Sequence, residues 1–243
     1  MKKLLLFACA FNFLAMSRGE DVKREQFAGK SYTIIRVNLD EQRLQLFWKD
    51  DSGAPFKSFD AVQSSLIKHG RKLVFAMNAG MYHRDFATVG LYVENGKQLS
   101  PLNLQRGDGN FFMLPNGVFA ITKSGAQVME SSQFSTFHAN VTLATQSGPM
   151  LVIDGKIHPA FRPGSDSRLF RNGVGVVSAK MVCFAISEEP VNFHEFALLF
   201  RDHLHCPNAL FFDGTVSSLY SETLKRDDRK IDLGPMIGIT AEK

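Results

Sequence analysis

Residues 172–214, NGVGVVSAKMVCFAISEEPVNFHEFALLFRDHLHCPNALFFDG, decide the fold. Two apolar runs, 174–178 and 181–186, flank the polar step Ala179-Lys180 and read as strands. Residues 193–204 then show apolar positions at helical spacing behind Asn192, and 209–212 form an unbroken apolar run that stops on a carboxylate, Asp213. A strand with no polar alternation is covered on both faces, so 209–212 belongs inside a sheet. Strand, helix and strand in this order predict a crossover connection.

Upstream, the alternation over 31–48 predicts two strands joined near Asp40-Glu41 and paired with each other. Phe59, Val62, Leu66 and Ile67 recur at helical spacing up to His69-Gly70, where the glycine is a natural stop. The run 73–77 reads as a buried strand. Three segments then repeat one grammar, an apolar run followed by a turn dipeptide: 91–94 with Asn95-Gly96, 111–114 with Asn116-Gly117, and 151–153 with Asp154-Gly155. Asn-Gly and Asp-Gly accept the positive φ of tight turns, so each predicts a hairpin. No proline-rich or serine-rich linker interrupts the chain. The expectation is a single α+β domain over 18–243, a mixed, strand-rich sheet with several hairpins and a few helices packed on it.

The composition agrees with a globular chain: of 243 residues, 44% are hydrophobic and 21% charged, which excludes collagen, coiled-coil and low-complexity classes. Twenty-two phenylalanines beside 19 glycines suggest many short elements crossing at close quarters. The formal charge of +4 includes Lys2 and Lys3, and no Lys/Arg run carries interleaved aromatics, so nucleic-acid binding is not expected. Residues 1–17 begin with two lysines, continue as LLLFACAFNFLA and end on small residues, the form of a signal peptide. That stretch is short and interrupted by Asn12, so no stable membrane span is expected, and the protein is placed in the periplasm or outside the cell. Export would leave Cys183 and Cys206 where disulfides persist, and one bridge between them is the expectation; the alternative is two buried thiols. His203-Leu204-His205-Cys206 has no second ligand cluster at finger-like spacing, so neither a metal nor a cofactor is expected.

Five segments set small or polar residues beside apolar strands: MNAGMY (77–82), GDGN (107–110), QSGP (146–149), SRLFRNGVG (167–175) and FFDGTVSS (211–218). Active sites on sheets are built at such strand ends, although each segment alone also reads as an ordinary turn. In their order, MNAGMY, GDGNFFMLPNGVFAI, SGPMLVIDGKI, RNGVGV and FFDGTVSSLY resemble the phosphodiester glycosidase family, in its bacterial, exported, single-domain form. The likeness runs from about Ser31 to Thr240 and implies hydrolysis of a sugar-1-phosphodiester to sugar and phosphomonoester.

That resemblance assigns roles. Asn78 and Gly80 match the family's asparagine-glycine segment, Arg171 its arginine before an aliphatic-glycine stretch, and Asp213, Gly214, Ser217 and Ser218 its aspartate-glycine-serine-serine motif. Thr215 and Val216 stand where two further glycines would be, and Phe170 and Asn172 replace a proline and a threonine beside Arg171. An ordinary glycosidase needs two carboxylates because its alkoxide leaving group needs a proton. A phosphate monoester, with a second pKa of about 6, leaves largely unprotonated, so one carboxylate can suffice. Asp213 is the candidate nucleophile or base, Arg171, helped by Arg168, the candidate phosphate fork, and Asn78 the orienting amide. Glu195 matches a recurrent family glutamate, yet Asn192-Phe193-His194-Glu195 also has the form of a helix capping box, and both readings stand. Tyr82, His83, Asp108, Ser147 and Gly148 complete the candidate substrate-binding set, a carbohydrate or sugar phosphate being the expected partner. The competing class is a catalytically silent carbohydrate-binding or envelope-assembly protein.

Overall fold

A computed structural model describes residues 21–134 and 140–243; the expected signal segment lies outside them. From the N-terminus run β1 (Asp21–Phe27), β2 (Lys30–Asn38), β3 (Leu44–Phe47), α1 (Phe59–Lys68), β4 (Arg71–Asn78), β5 (Tyr92–Glu94) and β6 (Lys97–Ser100). A 3-10 turn (Asn110–Phe112) leads to β7 (Gly117–Thr122), β8 (Gly125–Glu130), α2 (Ser131–Phe134), β9 (Val141–Ser147), β10 (Met150–Ile153) and β11 (Lys156–Ile157). Then come β12 (Asn172–Ser178), β13 (Met181–Ser187), α3 (Phe193–Leu198) with a π turn behind it (Leu199–His203), β14 (Asn208–Asp213), β15 (Leu219–Ser221), β16 (Arg226–Asp227) and β17 (Met236–Glu242).

The strands form three sheets in an α+β arrangement: β1-β2-β13-β12-β14-β10-β11, β16-β15-β4-β17-β3 and β6-β5-β9-β7-β8. Apolar side chains from all three meet in one core, among them Ile35, Phe184 and Phe212 of the first, Phe75, Met77 and Ile237 of the second, and Phe119 and Leu143 of the third. The first sheet is covered on its other face as well, where Ala209 and Phe211 pack with Phe196 and Phe200 of the α3 layer. Alternate residues of β14 therefore enter two different cores, which is why its sequence shows no polar alternation. Helix α1, capped by the Ser58 hydroxyl on the Ala61 N–H, closes the outer face of the second sheet through Phe59 and Val62.

Two expectations about the sheets are corrected and one holds. The pairs within each sheet are antiparallel rather than mixed. The crossover exists, but β13 and β14 lie on either side of β12, which runs against both and takes their hydrogen bonds. Strands β2 and β3 do not pair; β2 lies between β1 and β13, and β3 joins β17 in another sheet. The turn at 39–43 hands the chain from one sheet to the next. Asn95-Gly96 and Asp154-Gly155 make hairpins, with φ of 50° at Asn95 and 46° at Asp154. Asn116-Gly117 does not, because the buried Asn116 amide donates to Phe111 O at 2.9 Å and holds the 3-10 turn instead.

The expected disulfide is corrected too. Cys183 and Cys206 are free, buried thiols. They meet across β12, where a β-carbon at Gly175 would stand 2.6 Å from Cys206 Sγ. Contact with Cys183, and then burial, push the Cys206 thiol up. The pair behaves as two small hydrophobic groups in the α3 layer.

Candidate active site

Asn78 ends β4, Ser147 ends β9, Asp213 ends β14, and Asn172 begins β12, which runs antiparallel to β14. These four ends come from all three sheets and are tied together by side chains. The Asn172 amide donates to Asn78 O and to Asn78 Oδ1, each at 2.9 Å. Asn172 Oδ1 accepts the Asp213 N–H at 3.1 Å, Asn78 Oδ1 accepts the Ser218 N–H at 2.9 Å, and the Ser147 hydroxyl donates to Phe212 O at 2.7 Å. Both asparagines are fully buried. A buried amide without partners costs on the order of 1–3 kcal/mol, so these bonds hold the junction as well as marking it.

Asp213 sits beside a bulge, where β14 shifts register between Gly173↔Phe211 and Asn172↔Asp213. Bulges re-aim side chains at sheet ends. Its carboxylate accepts the Gly214 N–H at 2.6 Å, and the N–H groups of Thr215 and Val216 also face it. Burial nevertheless pushes the carboxyl up to about 6, against the pull of those three N–H groups. Among the described residues no other carboxylate adds to the shift. The loop needs no glycine at 215 or 216, because neither residue takes a positive φ, and Val216 is buried beside Phe59 and Val62. Ser217 donates to Asp213 O at 3.0 Å, and the buried Ser218 hydroxyl donates to Val216 O at 2.9 Å.

Tyr82 is electrostatically coupled to this centre. Burial first, then the charges of Asp213 and Asp232, push its phenol up to about 12, and its hydroxyl donates to Asp232 O at 2.6 Å. Gly80 brings the chain there with φ +106°, and a β-carbon would stand 2.8 Å from Thr145 Oγ1. Only glycine meets both conditions. Gly148 lies against the 3-10 turn, where a β-carbon would stand 2.8 Å from Phe111 O.

Arg171 precedes Asn172 by one residue and is completely buried. Its guanidinium stacks 3.7 Å over the Phe193 ring, Nε donates to Val191 O at 2.8 Å and Nη2 to Ser167 O at 2.9 Å. Nη1 has no partner among the described residues. Burial alone lowers the group to about 10, so no carboxylate among the described residues compensates this charge. A two-pronged fork toward substrate is not free, since two of its nitrogens already serve backbone carbonyls.

Arg168 and Glu195 form a separate pair, joined by bonds of 2.7 and 2.9 Å. Glu195 also closes the capping box of α3, accepting the Asn192 N–H at 3.0 Å while Asn192 Oδ1 accepts the Glu195 N–H at 2.9 Å. Burial would raise this carboxyl, but Arg168 and the Asn192 N–H outweigh it and hold it low. His83 is exposed on the turn that follows Tyr82, and Asp108 is exposed on the loop before the 3-10 turn. The structure thus gathers Asn78, Gly80, Tyr82, Ser147, Gly214, Ser217 and Ser218 around Asp213, with Arg171 in the layer behind. The residue that sequence reasoning missed is Asn172. Its signal was an amide opening an apolar strand, where a polar group needs a buried partner.

A cavity of about 360 Å³ opens elsewhere, among Leu44, Glu94, Thr122 and Lys180, and includes none of these residues. Among the described residues no helix is long and apolar enough to cross a membrane.

Known proteins resemble this arrangement. The uncharacterised protein YigE of Escherichia coli K12 is 35% identical over 184 residues, 76% of this chain and 72% of its own. The catalytic domain of zebrafish N-acetylglucosamine-1-phosphodiester α-N-acetylglucosaminidase, auto-inhibited by its pro-peptide, superposes with a TM-score of 0.63 at 13% identity, covering 91% of this chain and 82% of that one. A hypothetical protein from Synechocystis gives a TM-score of 0.54 at 13% identity, over 91% of this chain and 62% of its own. At such identities the two structures speak for the fold alone. The family model for phosphodiester glycosidases matches residues 71–240, which takes in Asn78, Ser147, Asn172 and Asp213, and the chain belongs to that family.

Proposed function

We propose that this protein hydrolyses the glycosidic bond of a sugar-1-phosphodiester, releasing the sugar and a phosphomonoester. Its setting is the periplasm or the cell exterior, and envelope or extracellular polysaccharide is the source of substrate. Family membership supports the bond class, and the lysine-led apolar segment at residues 1–17 supports export. The observation that carries the reaction is the single carboxylate of Asp213, poised near neutrality at the meeting point of three sheets.

Ionised Asp213 draws a proton from the attacking water, a task best done by a base whose pKa lies near the working pH. The water oxygen bonds to the anomeric carbon as the bond from that carbon to the phosphate oxygen breaks, and the electron pair stays on phosphate. The phosphate monoester leaves without needing a proton from a second carboxylate. Tyr82 and Ser217 bind and orient the substrate, while the Gly214 N–H holds the Asp213 carboxylate in place. Arg171 contributes an uncompensated positive charge from the buried layer, which favours a dianion in the cleft. Sugar release from a panel of sugar-1-phosphodiesters and UDP-sugars tests the proposal. Wild type exceeds Asp213→Ala by at least a thousandfold on one member; equal rates on all of them, with glycan binding retained, would leave a silent binding protein.

A further inference from the structure

Phe86 and Lys57 are held at positive φ, +66° and +63°, and they meet each other, with Lys57 Nζ 4.4 Å from the Phe86 ring centroid. Asn95 and Asp154 take such angles in hairpin turns, which their short polar side chains suit. For an aromatic residue the same angle is a genuine outlier, and strain of this kind persists only where the surrounding structure enforces it. A glycine at 86 would adopt the angle freely. What the ring touches explains why a phenylalanine stands there.

It touches Tyr82. The two rings stack with centroids 5.7 Å apart and planes 14° apart, in a tight loop closed by the Tyr82↔Thr88 bridge. The Phe86 N–H donates to His83 O at 2.8 Å, and Phe86 O accepts the indole N–H of Trp48, the chain's only tryptophan, at 2.7 Å. These backbone bonds hold Phe86 in its unusual conformation. The 232–234 segment closes on Tyr82 as well: a β-carbon at Gly234 would stand 2.4 Å from Tyr82 Cγ and Cδ1, and Asp232 O accepts the Tyr82 hydroxyl at 2.6 Å. Lys57 ties that segment down, its O accepting the Leu233 N–H at 2.8 Å and its Nζ pairing with Asp232 Oδ2 at 4.0 Å. Both strained residues therefore serve one grip on the Tyr82 ring. The grip reaches the Asp213 loop by two further bonds, from the Ala79 N–H to Pro235 O at 2.8 Å and from the Ser218 N–H to Asn78 Oδ1 at 2.9 Å. The charge of Asp213 is felt at the Tyr82 phenol.

We infer that Phe86 is a positioning residue, whose ring fixes Tyr82 beside Asp213 and through it the orientation of the substrate. This rests on the glycosidase reading above, in which Tyr82 orients the substrate, and adds a residue that acts only through that tyrosine. Packing for stability alone would not select it, since both rings are partly exposed and the Phe86 backbone is strained.

Phe86→Gly isolates the ring, because glycine takes φ +66° without strain and keeps both backbone bonds; its melting temperature stays within about 4 °C of wild type. Tyrosine labelled with carbon-13 at Cζ gives four resonances, and Tyr82→Phe identifies the one of interest. In wild type that resonance shifts as Asp213 ionises near pH 6. Asp213→Asn abolishes this part of the titration, which separates it from any response to the neighbouring His83 imidazole. In Phe86→Gly the shift falls to less than about half, because the phenol is no longer held near the carboxylate, and Phe86→Tyr, which keeps a ring, restores it. On a sugar-1-phosphodiester that wild type hydrolyses, Phe86→Gly loses about tenfold or more in kcat/KM, yet changes it by less than about twofold in a Tyr82→Ala background. If wild type hydrolyses nothing, the glycosidase reading fails and Phe86 is judged on the resonance alone. A Tyr82 titration that either Asp213→Asn or Phe86→Gly leaves unchanged overturns the proposal, as does an unchanged kcat/KM in Phe86→Gly when wild type is active.

Discussion

Asp213 carries two consequences that can be read separately. Its folded-state carboxyl is pushed up to about 6 by burial, above the ordinary value near 3.9. In the proposed role the ionised form is the active one, so kcat/KM rises as pH climbs through about 6 and levels off above it; a pH-rate profile checks this. Stability moves the other way. Between about pH 4 and 6 the native state holds a proton that the unfolded chain has lost, so stability falls with rising pH across that window and the deficit then stays constant. At pH 7.5 the deficit is at most about 3 kcal/mol. Asp213→Asn keeps an oxygen for the Gly214 N–H and removes the ionisation. Activity should fall at least a thousandfold, while the melting temperature rises by several degrees at pH 7.5 and by little at pH 4. Thermal melts at the two pH values decide it; a variant less stable than wild type at pH 7.5 would place the carboxylate among the stabilising groups. Asp213 was legible in the sequence because a charged residue ending a wholly apolar strand has few structural uses.

Elements explain why other candidates divide as they do. The N-terminus of α3 is built from Asn192 and Glu195, and Arg168 is held to it by the same glutamate. Glu195→Gln should therefore cost about 1 kcal/mol of stability, the ordinary loss for a weakened cap, and leave kcat within about threefold. A loss of a hundredfold or more in kcat, with the fold intact, would make Glu195 part of the chemistry. The junction of β4 and β12 is the opposite case. Asn172→Ala removes the donor to Asn78 O and to Asn78 Oδ1, the latter keeping only the Ser218 N–H, so a loss of about 2–4 kcal/mol is expected by urea titration, accompanied by a loss of activity because the Asp213 N–H loses its acceptor. Asn172→Asp would keep the acceptor and lose the two donated bonds, which separates the two effects. Elements were legible where local chemistry sufficed: Asn95-Gly96 and Asp154-Gly155 turned as their φ preferences require. They were not legible where a distant contact chose the outcome. Asn116 looked like a hairpin residue and is a buried side-chain clamp, and β1 escaped notice because an edge strand with one mostly exposed face has the polar look of a loop.

At the scale of the whole molecule, three sheets share one core and place their polar strand ends at one end of it. The resemblance of five short motifs drew those ends together in sequence, but only the fold shows what joins them: two buried asparagines, one of which reads along the chain as an unremarkable strand residue. The sheet assignments of β2 and β3 were beyond the sequence for a related reason, since both strands are apolar and alternation does not say which sheet will receive them. Belonging to the phosphodiester glycosidase family and presenting one poised carboxylate lead to a claim about which bond breaks. Hydrolysis in water enriched in oxygen-18, followed by mass spectrometry of both products, addresses that bond directly. The label should appear in the released sugar, with none in the phosphomonoester, and the release should vanish in Asp213→Asn. Label in the phosphomonoester would mean attack at phosphorus and would contradict the glycosidase mechanism.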